Sequence, residues 1–349
     1  IHDRTTKSVI QNYEVLAGGR SFIDVQVINY LLYDRYGNAE HQTIDTFDNL
    51  AATEEFLVSH KDIVNTYGAI TVQNSDGTTG TRSEAFARKH GSALTTTSRE
   101  TDKAGALIQR SVTTSTLFDL RGNAIDQSTD KFVANLAAAE KLATRTVIHN
   151  ESINARGDAG TQEITTWTTD DAGLNIEVTS FQVMTNRRFD GRHNVLNQMS
   201  YNYDFEGGEL LDVSEIRSAG HTSSGVARLQ DMVTYTDSTM SGIIEAKHIA
   251  NSDISSSGNV GISTIDVYTD ASISDSGTGA ITFSDRIEHQ VITTTVFDAR
   301  GNALVQEIEK TYYDLGLAIG TDVQVISNDP FGIHDRTTKS VIQNYEVLA

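Results

Sequence analysis

The sequence predicts an all-β protein: tandem β-hairpin repeats forming an elongated, solenoid-like or spiralling sheet, with short helical connectors. Three observations carry that prediction. The 349 residues include a single proline, Pro330, and no cysteine; proline removes a ladder donor, so its scarcity suits long uninterrupted strands. The apolar fraction is a modest 38% and Thr and Ser are abundant, which points to a thin core under a Thr-rich surface. Five segments also share one turn-and-strand pattern, the signature of a repeat architecture.

The five units lie at 27–47, 112–132, 147–167, 183–203 and 291–312. In order they begin VINYLLYDRYGN, VTTSTLFDLRGN, VIHNESINARGD, VMTNRRFDGRHN and VITTTVFDARGN. With Asp34, Asp119, Asn154, Asp190 and Asp298 as origins, a Val stands seven residues earlier and Tyr33, Phe118, Ile153, Phe189 or Phe297 directly before. An Asp or Asn opening a turn accepts backbone N–H bonds, and a residue three places on must take positive φ. Gly37, Gly122, Gly157 and Gly301 meet that need; His193 holds the same place in the fourth unit at some strain. Val, Ile, Thr and aromatic residues on both flanks complete the hairpin signal. Eight residues after each origin stands a glutamine: Gln42, Gln127, Gln162, Gln198 and Gln306. These predict a stacked amide ladder, each side chain bonding the next one repeat away. The aromatic residues thirteen on (Phe47, Phe132, Trp167, Tyr203, with Tyr312 one place late) read as core or as a stacked stripe.

The connectors DNLAATEEF and VANLAAAEKL share Asn-Leu-Ala-Ala-x-Glu and suggest one or two helical turns. Origins 119, 154 and 190 are about 35 residues apart, so the gap to 298 should hold weaker copies, expected near MVTYTDSTMSG and IDVYTDASISDSG. SVIQNYEVLAGGRSF repeats the strand start and puts Gly19 at the turn position. The small polar stretches HGSALTTTSRETDKAG, SAGHTSSG and SSSGNVG read as spikes or loose bulges.

A second period encloses the first. IHDRTTKSVIQNYEVLA occupies 1–17 and again, letter for letter, 333–349, so the long repeat is 332 residues. A cloning artefact, a domain-swap device and a window on a tandem array would each produce such a copy. The array accounts for both levels of repetition, because the short units keep their register through the seam. Residues 1–349 then form one repetitive body, a full long repeat plus the first 17 residues of the next. The step per long repeat would be about 45 Å for one layer per unit, or about 90 Å for two strands per unit.

The formal net charge of −20 disfavours nucleic acid, which needs a basic face. No apolar run is long enough to span a membrane as a helix. The chain begins with Ile and carries no signal-like segment, the expectation for an internal piece or a mature product.

The [FY]D-x-R-G-N core with its following Gln strand resembles the tyrosine-aspartate (YD/RHS) repeats of large bacterial surface and toxin proteins. Phe replaces Tyr in most copies, Asn follows the glycine where that family has Arg, and the family's C-terminal protease core has no counterpart. The resemblance implies spiralling hairpin sheets and a bacterial surface setting.

Chemistry is sparse. The ten histidines show no metal-ligand spacing, and His2 and His334 merely recur with the strip. Neither a phosphate loop nor a nucleophile elbow is present. Arg121, Arg156, Arg192 and Arg300, two after their origins, are expected to pair with local carboxylates. No cofactor is expected; Ca2+ is the one candidate, at the Asn74–Gly77 turn. The expected role is therefore non-enzymatic: a structural segment of an extracellular filament or giant cell-surface protein whose partners are copies of itself across the seam. An adhesin stalk holding a glycan or a cell-surface partner, and a toxin-associated shell, are the alternatives.

Overall fold

Runs of β-branched and aromatic residues interrupted by five-residue turns fold each segment back on the last. The computed structural model describes residues 4–16, 19–274 and 279–346, and these are almost entirely antiparallel strands. Contacts divide the chain into two units, 1–153 with 166–177 and 154–165 with 178–349.

In the first unit, β1 (Lys7–Leu16), β2 (Gly19–Tyr33), β3 (Ala39–Phe47) and β4 (Leu57–Thr66) pair in sequence. An insertion follows: β5 (Ile70–Gln73), β6 (Thr79–Arg82) and α1 (Glu84–His90). The ladder resumes with β7 (Thr95–Asp102), which pairs with β4, then β8 (Leu107–Phe118), β9 (Ala124–Ala134) and β10 (Glu140–Glu151). β5 runs parallel to the end of β8, and their pairing buries Ile70, Val72, Ala87 and Phe118 in one cluster. Val25, Val27 and Phe47 form another. β11 (Thr161–Thr168) is divided between the units.

The second unit is a meander in which each strand pairs with the next. Its strands are β12 (Glu177–Phe189), β13 (Val195–Tyr203), β14 (Leu210–Ala219), β15 (Leu229–Tyr235), β16 (Ile243–Ile254), β17 (Val260–Ile273), β18 (Ile281–Phe297), β19 (Ala303–Asp314), β20 (Leu317–Asn328) and β21 (Ser340–Glu346). Met199, Val213, Val233, Tyr235, Ala246 and Ile281 make its core. Glu215, 1% exposed, lies between Arg187 and Arg217. Four hairpins share a bulge: Leu31, Thr116, Arg187 and Thr295, each three residues before its origin, are skipped by the register.

Several expectations are corrected. Asn135–Ala139 is a tight turn with Ala138 at φ 58°, not a helical connector, whereas residues 48–56 do contain the expected helical turn, as the 3-10 helix Glu54–Phe56. The five residues between β9 and β10 close a hydrogen-bonded reversal, which leaves no room for a helical turn, whereas the nine between β3 and β4 accommodate one. Residues 218–225 and 255–261 are ordered turns between paired strands rather than loose bulges, and 90–105 contains β7. These turns, at Thr222 and Ser255, are the copies that fill the gap to 298. The segment expected there, 232–242, turns at the other end of its hairpin through Thr236 N–H to Gly242 O; the turn residues of 265–277 lie outside the described residues. Gly19 is not a turn glycine: it begins β2, paired with Leu16.

Candidate functional site

The repeated turn is the structural feature from which the rest of the arrangement follows. At Asp34 the N–H donates to Asn38 O (3.0 Å) and Gly37 N–H returns a bond to Asp34 O (3.3 Å). The carboxylate Oδ1 accepts the N–H groups of Tyr36, Gly37 and Asn38, and Oδ2 accepts the Asn38 amide at 2.8 Å. Asp119, Asp190 and Asp298 repeat the clamp with Asn123, Asn194 and Asn302. Asn154 inverts it, its own amide donating to Asp158 at 3.0 Å. Gly37, Gly122, Gly157 and Gly301 have φ between 88° and 101°, and His193 has 70°. Burial works against ionisation of Asp119, but the Asn123 side chain and N–H, with Arg121, outweigh it and hold the carboxyl below its ordinary value. At Asp190 the Asn194 amide dominates, and the pKa falls to about 2.

Sequence reasoning did not find that successive turns nest. In the second unit the residue four after one origin packs against the residue three after the next. Asn194 meets Gly225, Val226 meets Gly258 and Asn259 meets Gly301. A Cβ at Gly301 would sit 2.4 Å from Asn259 Oδ1, so the Asn259 side chain would have to move, while the φ of 88° itself calls for glycine. Where glycine is replaced, a polar contact takes its place: His193 Nδ1 bonds Asp158 Oδ1, and Asn302 donates to Asp335 Oδ1 at 2.9 Å. The strain expected at His193 thus accompanies a hydrogen-bond partner for Asp158, which is 6% exposed. In the first unit α1 supplies the nested turn. Gly91 N–H donates to Arg88 O as a turn glycine would; Asn38 donates to the same carbonyl, and Ser92 Oγ donates to Gly122 O.

Arginines stitch the row. Arg121 Nη2 donates to Ile153 O (2.7 Å), Arg156 to Asp190 O (2.8 Å), Arg192 to His221 O, and Arg300 to Phe331 O (2.9 Å). The expected carboxylate pairs are present at Arg121 with Asp119, Arg156 with Asp158 and Arg300 with Asp335, and Arg156, Arg192 and Arg300 also reach the backbone of the following turn. A second stitch runs from asparagine. Asn65, Asn150, Asn186, Asn251 and Asn328 donate to the carbonyls of Ala39, Ala124, Ala159, Ala227 and Ala303. Four of these stand four residues before an origin, a spacing visible in the sequence once Ser255 and Gly332 are recognised as origins.

The glutamine ladder is corrected. Each hairpin adds two strands, so glutamines even on consecutive hairpins stand about 9.6 Å apart, beyond hydrogen-bond reach, and Gln42 and Gln127 or Gln198 and Gln306 are separated by several strands more. In register, Gln42 faces Tyr30, Gln127 faces Ser115, Gln198 faces Asn186 and Gln306 faces Thr294. Gln306 bonds Thr294 Oγ1 at 3.0 Å, Gln198 reaches Met184 Sδ, and Gln162 accepts from Asn186 at 2.9 Å. Of the aromatic positions, Phe47 is core, Tyr203 packs against Phe181 with the ring planes tilted by 48°, and Phe132 lies under Arg110.

The histidines, scattered in sequence, are ordered in space. His60, His149, His248 and His289 face Asp45, Asp126, Asp231 and Asp266 directly across a strand pair, Nδ1 to Oδ1 at 2.5–2.8 Å. At the Asn74–Gly77 turn the Asp76 carboxylate accepts from the Thr78 N–H and hydroxyl. Among the described residues no three His, Asp or Glu side chains converge as a metal site, and no helix is long and apolar enough to cross a membrane. His2 lies outside the described residues.

No family model and no curated protein matches the chain. Among solved structures it is similar to the crystal structure of TcdB2-TccC3-TEV (9% identity, TM-score 0.21), covering 95% of this chain and 22% of that one. It is also similar to the crystal structure of TcdB2-TccC3 (10%, TM-score 0.14; 99% and 24%) and to a Photorhabdus luminescens Tc holotoxin pore (9%, TM-score 0.13; 91% and 20%). The chain thus spans less than a quarter of each of these, and such scores carry no functional argument.

Proposed function

We propose that this chain is a structural segment of a tandem array in an extracellular filament or giant cell-surface protein, and that it has no catalytic role. The observation that carries this reading is the continuity of the stitching. Within each unit, the successive turns described above are tied to one another, by Asn38 and Ser92 in the first and by Arg156, Arg192, Arg300 and Asn302 in the second, so these hairpins are not free-standing modules. A single hairpin is marginal in water, and a row that shares its bonds along its length is stable in series. The array reading also accounts for Arg4, whose guanidinium donates to Asp34 O and Arg35 O. Its copy Arg336 is exposed at the other end of the long repeat, where the next copy's Asp34 turn would follow. The bacterial setting rests on the resemblance to YD/RHS repeats.

Electron micrographs of the native material test the proposal. Each unit adds two strands to a ladder rather than one layer, so filaments should carry an axial repeat near 90 Å. Discrete globular particles would refute the array.

A further inference from the structure

The duplicated strip gives two strands of one sequence, and they are paired along different edges. β1 pairs with β2, and among the described residues no strand covers its other edge. β21, the copy of residues 8–14, pairs with β20 and is likewise uncovered on the other side. The two pairings use different backbone groups. Tyr30 N–H donates to Thr6 O, so Thr6 and the even-numbered residues after it point their N–H and C=O toward β2 at the start of the strand. Consecutive residues of an antiparallel strand alternate edges, so the polar groups of Lys7, Val9 and Gln11 point the other way. In the copy those are the groups in use: Lys339, equivalent to Lys7, accepts from Asp329 N–H at 2.9 Å.

We propose that the strip is a single strand shared by two copies of this chain, with the uncovered edge of β1 as the docking edge for β20 of the preceding copy. The inference rests on the tandem reading for its place in the native protein. The register follows from β21: Ser8 opposite Asn328, Ile10 opposite Ile326, Asn12 opposite Gln324. The Ser340 Oγ bond to Asn328 Oδ1 (2.6 Å) passes to Ser8. No ladder is lost, because β1 of one copy makes with β20 the bonds that β21 of the other made, while keeping its own with β2. Val9 and Ile10, 56% and 41% exposed, gain neighbours on the open side.

The chain has no cysteine, so single cysteines report the register. Ile10 and Ile326 would form a non-hydrogen-bonded pair, with Cα atoms about 4.5 Å apart and within disulfide reach. Full-length Ile10→Cys protein is mixed with full-length Ile326→Cys protein and oxidised, which traps the exchanged state even at low population. A parallel mixture uses Gln324→Cys, displaced by two residues or about 6.8 Å along the strand. The 10–326 dimer should form and the 10–324 dimer should stay at background. Ser8→Cys with Asn328→Cys repeats the test at smaller, polar positions. Equal yields in the two registers, or no 10–326 and no 8–328 dimer while Ile342→Cys/Ile326→Cys closes within one chain, would overturn the shared strand. Filaments with the expected axial repeat but no such cross-link would overturn this inference and leave the array standing; globular native particles would count against the array itself.

Discussion

Replacing Arg300 and Arg156 by alanine separates the arginine stitch from simple surface charge. Both belong to the second unit, and both donate to the backbone of the following turn. They differ in burial: the Arg300 side chain is 13% exposed and that of Arg156 is 46% exposed. A buried charge-assisted hydrogen bond contributes about 1.5–3 kcal/mol. The Arg300 pair with Asp335, whose side chain is 42% exposed, adds about 0–1 kcal/mol after screening. Arg300→Ala should therefore cost about 2–3 kcal/mol, and Arg156→Ala no more than about 1 kcal/mol. For a unit of this size each kcal/mol moves the melting temperature by about 2–4 °C, so Arg300→Ala should lower it by about 4–12 °C. Far-UV circular dichroism during heating reads this directly, with urea unfolding as a second measure. Arg300→Lys should recover only part, because one ammonium cannot span Phe331 O and the Asp335 carboxylate together. Equal losses at the two sites, or a shift within about 1 °C at Arg300, would refute the stitch.

The inverted turn makes a second test. His193→Gly relieves positive φ but leaves Asp158 without its imidazole, a loss of about 1–3 kcal/mol; adding Asn154→Asp and Asp158→Asn restores the common pattern and should return the melting temperature to its starting value. The turn carboxylates set an acid limit. At Asp34, Asp119, Asp158 and Asp190 the folded pKa is depressed, so the stabilisation from these four is present above the ordinary value and is lost as pH falls through the folded one. For Asp190 the window runs from about 3.9 down to about 2. Melting temperature should decline across it, and less steeply in Asp190→Asn; an unchanged slope would exclude this turn as a contributor. At the buried pair, Glu215→Gln leaves Arg187 and Arg217 uncompensated and should cost about 3–5 kcal/mol, whereas Glu215→Leu with both arginines changed to Met should be close to neutral; chemical denaturation distinguishes the two.

The hairpins at Asp34, Asp119, Asp190 and Asp298 were legible because the instruction is local: five residues specify their own turn. Thr222 and Ser255 escaped notice because a hydroxyl replaces the carboxylate there, accepting Val226 N–H and Asn259 N–H respectively. The short helix was announced by its ends, Ser83 accepting from Phe86 N–H and Gly91 at φ 70°, but seven residues carry too little periodicity to reveal it. The glutamines mislead because equal placement within each unit does not make them neighbours in the sheet: three strands lie between those of Gln42 and Gln127, and five between those of Gln198 and Gln306. The nesting of turns and the His–Asp pairs had no local signal at all, since each joins residues 15–50 apart.

The contact between Asp158 and His193 also bears on how such an array can be copied. Units closed by asparagine and glycine present the same face to any neighbour and are interchangeable by unequal crossing-over. The units at 147–167 and 183–203 are not, because each holds half of the hydrogen-bonded pair Asp158–His193. A crossover falling between them would place a buried carboxylate against a glycine, or an imidazole against an amide, in every descendant. These two units must be inherited together, as one phrase within a sequence otherwise free to gain and lose its words.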